Sequence, residues 1–339
     1  MTENENGGLT TIRADDLLRV IGDIPDVTRF ETGLWSLDYA VGFQNKWGIP
    51  LRSLVELYGP EASGKSTLAY YLAGKVAGER GIWIADVEGT LDKWYVDDVT
   101  RVAGHTGTIR ISDYVEVKKK ERVARPHEAQ LEDSIDAILD GDYGAGVADS
   151  IGAFTSIVQR GKALGERTVG QEAKTINDAS KRVSCWLRIA DDPKLYVYVN
   201  HTHPNIGGHG FDTPGGRKKK YLSNVRLWIR RLESNIPAGS GNFVAKVAVQ
   251  KLKYGASGKE ALIYFIPGFG ISKEMTDVFD CINLGLANRG AVVSLGGNKM
   301  GRISTLAKRA EEPGKHADTF QPFAQALAAE RRRLDEALK

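Results

Sequence analysis

The stretch from Leu57 to Thr67, LYGPEASGKST, carries residue types at a spacing suited to holding a chain of phosphates. It contains the pattern G-x-x-x-x-G-K-[ST], with Gly59, Gly64, Lys65 and Ser66 at the fixed places. The glycines let the backbone curl so that successive N–H groups converge on one phosphate chain. Lys65 adds a mobile positive charge, and Ser66 offers a hydroxyl to a magnesium ion. Pro60, Glu61, Ala62, Ser63 and Thr67 complete the cradle.

Further chemistry-bearing groups stand at the ends of apolar runs. Gly81 to Asp86 reads as a buried parallel strand ending in an acid, followed by Glu88. Acids at the carboxyl end of a strand beside such a loop lie where ligands bind in open α/β sheets. Glu88 is therefore the candidate for orienting and deprotonating an attacking water, although spacing alone does not choose it over Asp86. Gly144 to Ser150 is a second run ending in an acid, Asp149, a candidate for holding magnesium through water. Its two glycines are expected to weaken it as a central strand. Leu195 to Asn200 alternates as a strand and ends at Asn200-His201, before a long Gly-rich loop from Thr202 to Gly216. A loop of that length inside a compact domain is usually functional.

The elements that must position these groups alternate between strand and helix. Ser53 to Tyr58 reads as the strand entering the phosphate loop, and Leu68 to Val76 has the spacing of the helix leaving it. Glu128 to Leu139 and Glu172 to Leu187 have helical periodicity. Tyr221 to Arg231, Val244 to Lys253 and Ala261 to Ile266 read as strands. Lys273 to Lys339 is expected to hold a helix around Val278 to Leu286, a short hairpin over Gly290 to Arg302, and a final helix with Phe323, Leu327, Leu334 and Leu338 on one face. Near the start, Asp15 to Ile21 reads as a short amphipathic helix, which needs a core or a neighbouring copy to pack on.

With 339 residues, 42% of them hydrophobic and 26% charged, the chain can bury a sizeable core. The net charge of +3 excludes a long-range field, so affinity for a polyanion must come from local clusters. Arg217 to Lys220 borders the Gly-rich loop and is the strongest such cluster. Lys174 and Lys181 share a helix face, and the run from Val117 to Arg125 reads as a solvated loop. Cys185 and Cys281 fall in no metal-ligand spacing and are expected to be free thiols. The polar start and the lack of eighteen consecutive apolar residues lead to the expectation of a cytoplasmic protein with no membrane contact.

From Thr32 to about Gly270 the wording TG-x-x-SLD-x-A-x-G, then a strand, then GPE-x-SGK-[ST]-T resembles bacterial RecA recombinase and its phage-encoded relatives. The resemblance implies an α/β fold: a RecA-like P-loop NTPase core with a mixed, mainly parallel sheet flanked by helices. It implies an N-terminal arm over residues 1–31 that serves polymerisation, a core over 32–270 and a C-terminal helical and hairpin region over 271–339. The implied cofactors are ATP and Mg2+. Glu88 matches the catalytic glutamate, Asp92 and Tyr95 fall at the adenine positions, and Asn200-His201 falls at the pair that senses the terminal phosphate, where bacterial RecA has glutamine in place of His201. An imidazole there still donates to a phosphate oxygen and would make sensing pH-dependent.

The resemblance also places the DNA contacts at Lys174, Asn177 and Lys181, and at Thr202, Asn205, Gly207, Gly208, Gly215, Gly216 and Arg217 of the second DNA-binding loop. It puts Tyr221 at a subunit interface and makes Lys251 and Lys253 the pair that reaches the nucleotide of the next copy. The implied activity is a DNA-dependent ATPase and recombinase that forms a helical filament on single-stranded DNA and exchanges strands with a duplex. Single-strand-binding and mediator proteins are the implied further partners. A mediator without strand exchange, or a ring-forming helicase or ATPase of the same fold, are the alternatives.

Overall fold

A computed structural model describes residues 27–43, 45–118, 120–155, 170–204, 211–232 and 241–337. The helix expected over Asp15 to Ile21 lies outside the described residues. The chain builds a nine-stranded sheet whose strands, in sequence order, are β1 (Ser53–Gly59), β2 (Gly81–Asp86), β3 (Ile109–Ile111), β4 (Tyr143–Asp149), β5 (Leu195–His201), β6 (Val225–Leu232), β7 (Phe243–Leu252), β8 (Glu260–Ile266) and β9 (Gly270–Ile271). Across the sheet they run β9-β8-β7-β6-β1-β5-β4-β2-β3. The pairings from β6 through β1 to β3 are parallel, and those from β6 to β9 are antiparallel.

Parallel strands covered on both faces read as nearly continuous apolar runs, because alternate side chains enter two separate cores. Val55 and Leu57 of β1, with Val197 and Val199 of β5, face one core. Helices α2 (Lys65–Ala77) and α3 (Lys93–Val102) close that core. Leu54, Tyr196 and Tyr198 face the other, closed by α4 (His127–Asp136) and α5 (Gln171–Ile189). The short α1 (Trp35–Ala40) precedes the sheet, and Asp38 in it folds the Thr32-Gly33 turn by accepting from both backbone N–H groups at 2.7 and 2.9 Å. Burial lifts that carboxyl to about 6.

Beyond the core, α7 (Lys273–Asn283), α8 (Ile303–Ala310) and α9 (Ala317–Ala337) enclose a third apolar cluster with Tyr264 and Phe323. Among the described residues no helix is long and apolar enough to cross a membrane.

Four local expectations change. The glycines of β4 do not weaken it: a Cβ on Gly146 would lie 2.5 Å from the Tyr196 ring, and one on Gly144 would lie 2.7 Å from the Ala77 backbone. Missing side chains are what let a tyrosine and a helix approach this strand. Tyr221 and Leu222, expected to open the sixth strand, instead end helix α6 (Gly216–Leu222), which packs against α5. The basic run after Tyr114 is a β-hairpin, Val115–Lys118 against Glu121–Ala124. In the C-terminal region a three-stranded sheet, 287–289, 293–295 and 298–301, replaces the simple hairpin, and α8 is an additional helix.

Candidate nucleotide site

Strand β1 delivers the chain to Gly59, and Gly64 starts α2 with φ 90, a left-handed conformation open to glycine. A Cβ on Gly64 would also lie 2.8 Å from the Phe265 ring of β8, so both geometry and packing require glycine there. Ala62 is held at φ 53, a sparsely populated region for a residue with a side chain. Such strain persists only where surrounding structure imposes it. Ser63 Oγ and Lys65 Nζ both donate to the Pro60 carbonyl, at 2.8 and 2.6 Å, and brace the loop from inside. Burial pulls Lys65 below the usual lysine value in spite of Asp149, Glu88 and Glu61 nearby.

Three other strands bring their ends to this loop. Asp149, at the end of β4, accepts from Tyr70 Oη of α2 at 2.6 Å. Its Oδ1 is buried and meets no hydrogen-bond partner. Burial lifts its carboxyl above the ordinary range, against the hydrogen bond from Tyr70. A buried, unpaired carboxylate oxygen beside a hydroxyl and a cluster of acids is a donor set that suits a hard divalent cation such as magnesium.

Asp86 and Glu88 separate clearly. Asp86 accepts from Gly89 N (2.9 Å), Leu91 N (3.0 Å) and Tyr114 Oη (2.5 Å), so it is used up in shaping the turn. Glu88 is partly exposed, and its Oε2 lies 3.6 Å from His201 Nε2. His201 Nε2 is in turn 3.0 Å from Ser150 Oγ. Glu88, Ser150 and His201 thus face one another across the ends of β2, β4 and β5.

Asp92 caps α3 by accepting from Trp94 N at 2.9 Å, and Tyr95 Oη lies 2.6 Å from Thr67 Oγ1, which ties Tyr95 to the phosphate loop. Sequence reasoning missed Tyr70, Ser150 and a buried charge cluster around Glu56. The charge inside the apolar run SLVELY was the available signal for Glu56.

Comparison with known proteins gives the family of the chain. The RecA N-terminal domain family matches residues 17–272. The chain belongs to the RecA family. It is 29% identical over 306 residues to Protein RecA of Geobacter sulfurreducens, covering 87% of this chain and 82% of that one. Protein RecA of Teredinibacter turnerae is 28% identical over 340 residues, covering 97% and 90%. The crystal structure of the RadB recombinase superposes with a TM-score of 0.51 at 17% identity, over 71% of this chain and 98% of that one, a likeness of fold.

In this RecA-family chain the residues matched to DNA contacts divide. Lys174 and Lys181 are exposed on α5, with Lys181 Nζ 2.7 Å from Asp178. Asn177 points elsewhere than expected: its Oδ1 accepts from Lys219 N at 2.9 Å and caps α6. Thr202 is half-buried at the start of the Gly-rich loop, whose base closes as a two-residue ladder between 203–204 and 211–212. Asn205, Gly207 and Gly208 lie outside the described residues. Gly215 caps α6, and Gly216 and Arg217 form its first turn.

Of the four cations expected to form a basic patch, Lys219 is fully buried against Glu56, and Lys220 pairs with Asp212. The patch is smaller than its sequence suggests, because a helix turns one lysine into the core. Tyr221 stands exposed on α6. Lys251 Nζ donates to the carbonyls of Lys220 and Tyr221 at 2.7 and 2.8 Å, and Lys253 Nζ lies 3.5 Å from that of Leu222. The lysine pair therefore covers the carbonyl end of α6.

Proposed function

We propose that this chain is a DNA-dependent ATPase and homologous recombinase that assembles as a filament on single-stranded DNA and exchanges strands with a duplex. The observation carrying this reading is the convergence at the carboxyl ends of adjacent parallel strands: the phosphate loop, Glu88, Asp149 and His201 meet where β5 runs directly into the Gly-rich loop. Hydrolysis and a DNA-contacting segment would share a strand end, and family membership supports the same reading.

In this account Gly59 to Thr67 hold the phosphates of ATP through backbone N–H groups and the Lys65 ammonium. Asp92 and Tyr95 hold the adenine. Ser66 and Asp149 would hold Mg2+, Asp149 through water, and the bound ion supplies charge neutralisation across the phosphates. Glu88 accepts a proton from the attacking water, and His201 reads the terminal phosphate. Lys251 and Lys253 of the next copy leave the α6 carbonyls to neutralise negative charge that develops during transfer. Tyr221 packs at the same seam. Lys174, Lys181, Arg217 and the loop from Thr202 to Gly216 bind the DNA backbone, so affinity should fall steeply with salt.

The test is phosphate release from ATP with and without single-stranded DNA, followed by a strand-exchange assay. Stimulated release together with exchange is the expected result. Release with no exchange at any DNA concentration would leave an ATPase and overturn the recombinase reading.

A further inference from the structure

Glu56 lies in β1, three positions before the phosphate loop, and is fully buried. Arg226 Nε of β6 donates to its Oε2 at 2.6 Å, and the Arg226 guanidinium stacks 4.5 Å from the Tyr58 ring centroid. That pair alone balances the charge. A second cation, Lys219 of α6, is nevertheless buried against Oε1 of the same carboxylate. Burying a cation beyond neutrality is costly and adds no obvious stability. Burial by itself would raise the Glu56 carboxyl, yet the two cations bring it below its usual value.

The remaining bonds of Lys219 show what it holds. Its Nζ donates to Pro214 O at 2.6 Å and to Thr213 Oγ1 at 3.2 Å, at the far end of the Gly-rich loop. Asn200, at the near end, donates through Nδ2 to the same Glu56 Oε1 at 2.9 Å and the same Pro214 O at 3.1 Å. The four groups close a ring: carboxylate, Asn200 amide, Pro214 carbonyl and Lys219 ammonium. Asn200 Oδ1 also accepts from His201 N at 3.0 Å. Both ends of the loop are therefore clamped to one oxygen on the strand that launches the phosphate loop, one bond away from the histidine facing Glu88.

We propose that Lys219 is a positioning residue that couples the loop between His201 and Gly215 to hydrolysis. A pull on the Thr213-Pro214 end shifts the ring, turns Asn200, and moves His201 relative to Glu88 and Ser150. This inference rests on the recombinase reading and names the side chain through which DNA would reach the hydrolytic groups.

The experiment compares ATP turnover with and without single-stranded DNA, together with nucleotide affinity and thermal unfolding, for wild type, Lys219→Met and Thr213→Val. In Lys219→Met, Glu56 keeps Arg226 and Asn200, so no unpaired charge is left behind. DNA-free turnover and KM should stay within about twofold, and the stimulation by DNA should fall about tenfold, within the usual span of coupling between sites. Thr213→Val should lose a smaller part of the stimulation, and it carries the test by itself if the lysine variant does not fold. A purely structural lysine would lower both turnover rates in proportion and leave the stimulation ratio intact; that result, or an unchanged ratio in Thr213→Val, overturns the assignment. Wild type showing no stimulation overturns the recombinase reading, and this assignment with it.

Discussion

Asp86 and Glu88 stand two residues apart, and their surroundings give them different work. Asp86 is spent on two hydrogen bonds within its turn and a third from Tyr114, whereas Glu88 is partly exposed and faces His201. Glu88→Gln should therefore retain nucleotide binding while turnover falls by about 10²–10⁴, the range general-base catalysis supplies. Steady-state kinetics beside a nucleotide-binding titration would check it, and undiminished turnover would remove Glu88 from the mechanism. Asp86→Asn should instead lower the unfolding temperature, because a buried acceptor of three bonds is weakened. Lys65→Ala should abolish phosphate release, since the loop would lose its only ammonium. The phosphate loop was legible in the sequence because its chemistry is local and contiguous. Choosing between the two acids was not, because the decisive partner, Tyr114 Oη, arrives from a distant turn.

At the scale of elements, β4 and α6 show what a single sequence conceals. The glycines of β4 look like a weakness until the facing Tyr196 ring is known, and that ring is itself held by Ser134 Oγ at 2.5 Å. Gly146→Ala should cost about 1–3 kcal/mol, the range for overpacking a filled core, as read from urea unfolding. A stability equal to wild type would mean that the ring moves aside freely. The strand read from YLSNVRLWIRR starts at Val225, and its first two residues, Tyr221 and Leu222, belong instead to helix α6. The helix depends on two glycines with φ 93 and 77, a cap from Asn177 of α5 and Lys251 of β7 on its carbonyl end. None of these lies within the run itself. The parallel core, by contrast, was readable from its apolar runs and the acids at their ends.

At the scale of the whole molecule, the proposed filament requires copies to communicate, and Lys251 is where that can be measured. Burial first, then the charges of Lys253 and Arg226, bring its ammonium down to about 8, with Glu56 opposing. An unfolded lysine keeps its proton to higher pH, so between these values the unfolded chain binds more protons and this group makes stability rise with pH. Function should move the other way. A neutral amine gives no charge to a neighbour's phosphate, so the ATP concentration needed for half-maximal assembly should rise as pH passes about 8. Lys251→Arg, always charged, should flatten that dependence in a light-scattering titration. An identical pH profile in both proteins would show that Lys251 does not reach across.

The account rests on a triphosphate held at the seam between successive copies, and a reconstruction from electron micrographs tests it most directly. The protein would be imaged on single-stranded DNA with a non-hydrolysable ATP analogue. The account predicts a filament in which the analogue lies on Gly59 to Thr67 of one copy and meets Lys251 and Lys253 of the next. An analogue open to bulk solvent, with both lysines still seated on the α6 carbonyls of their own chain, would contradict it.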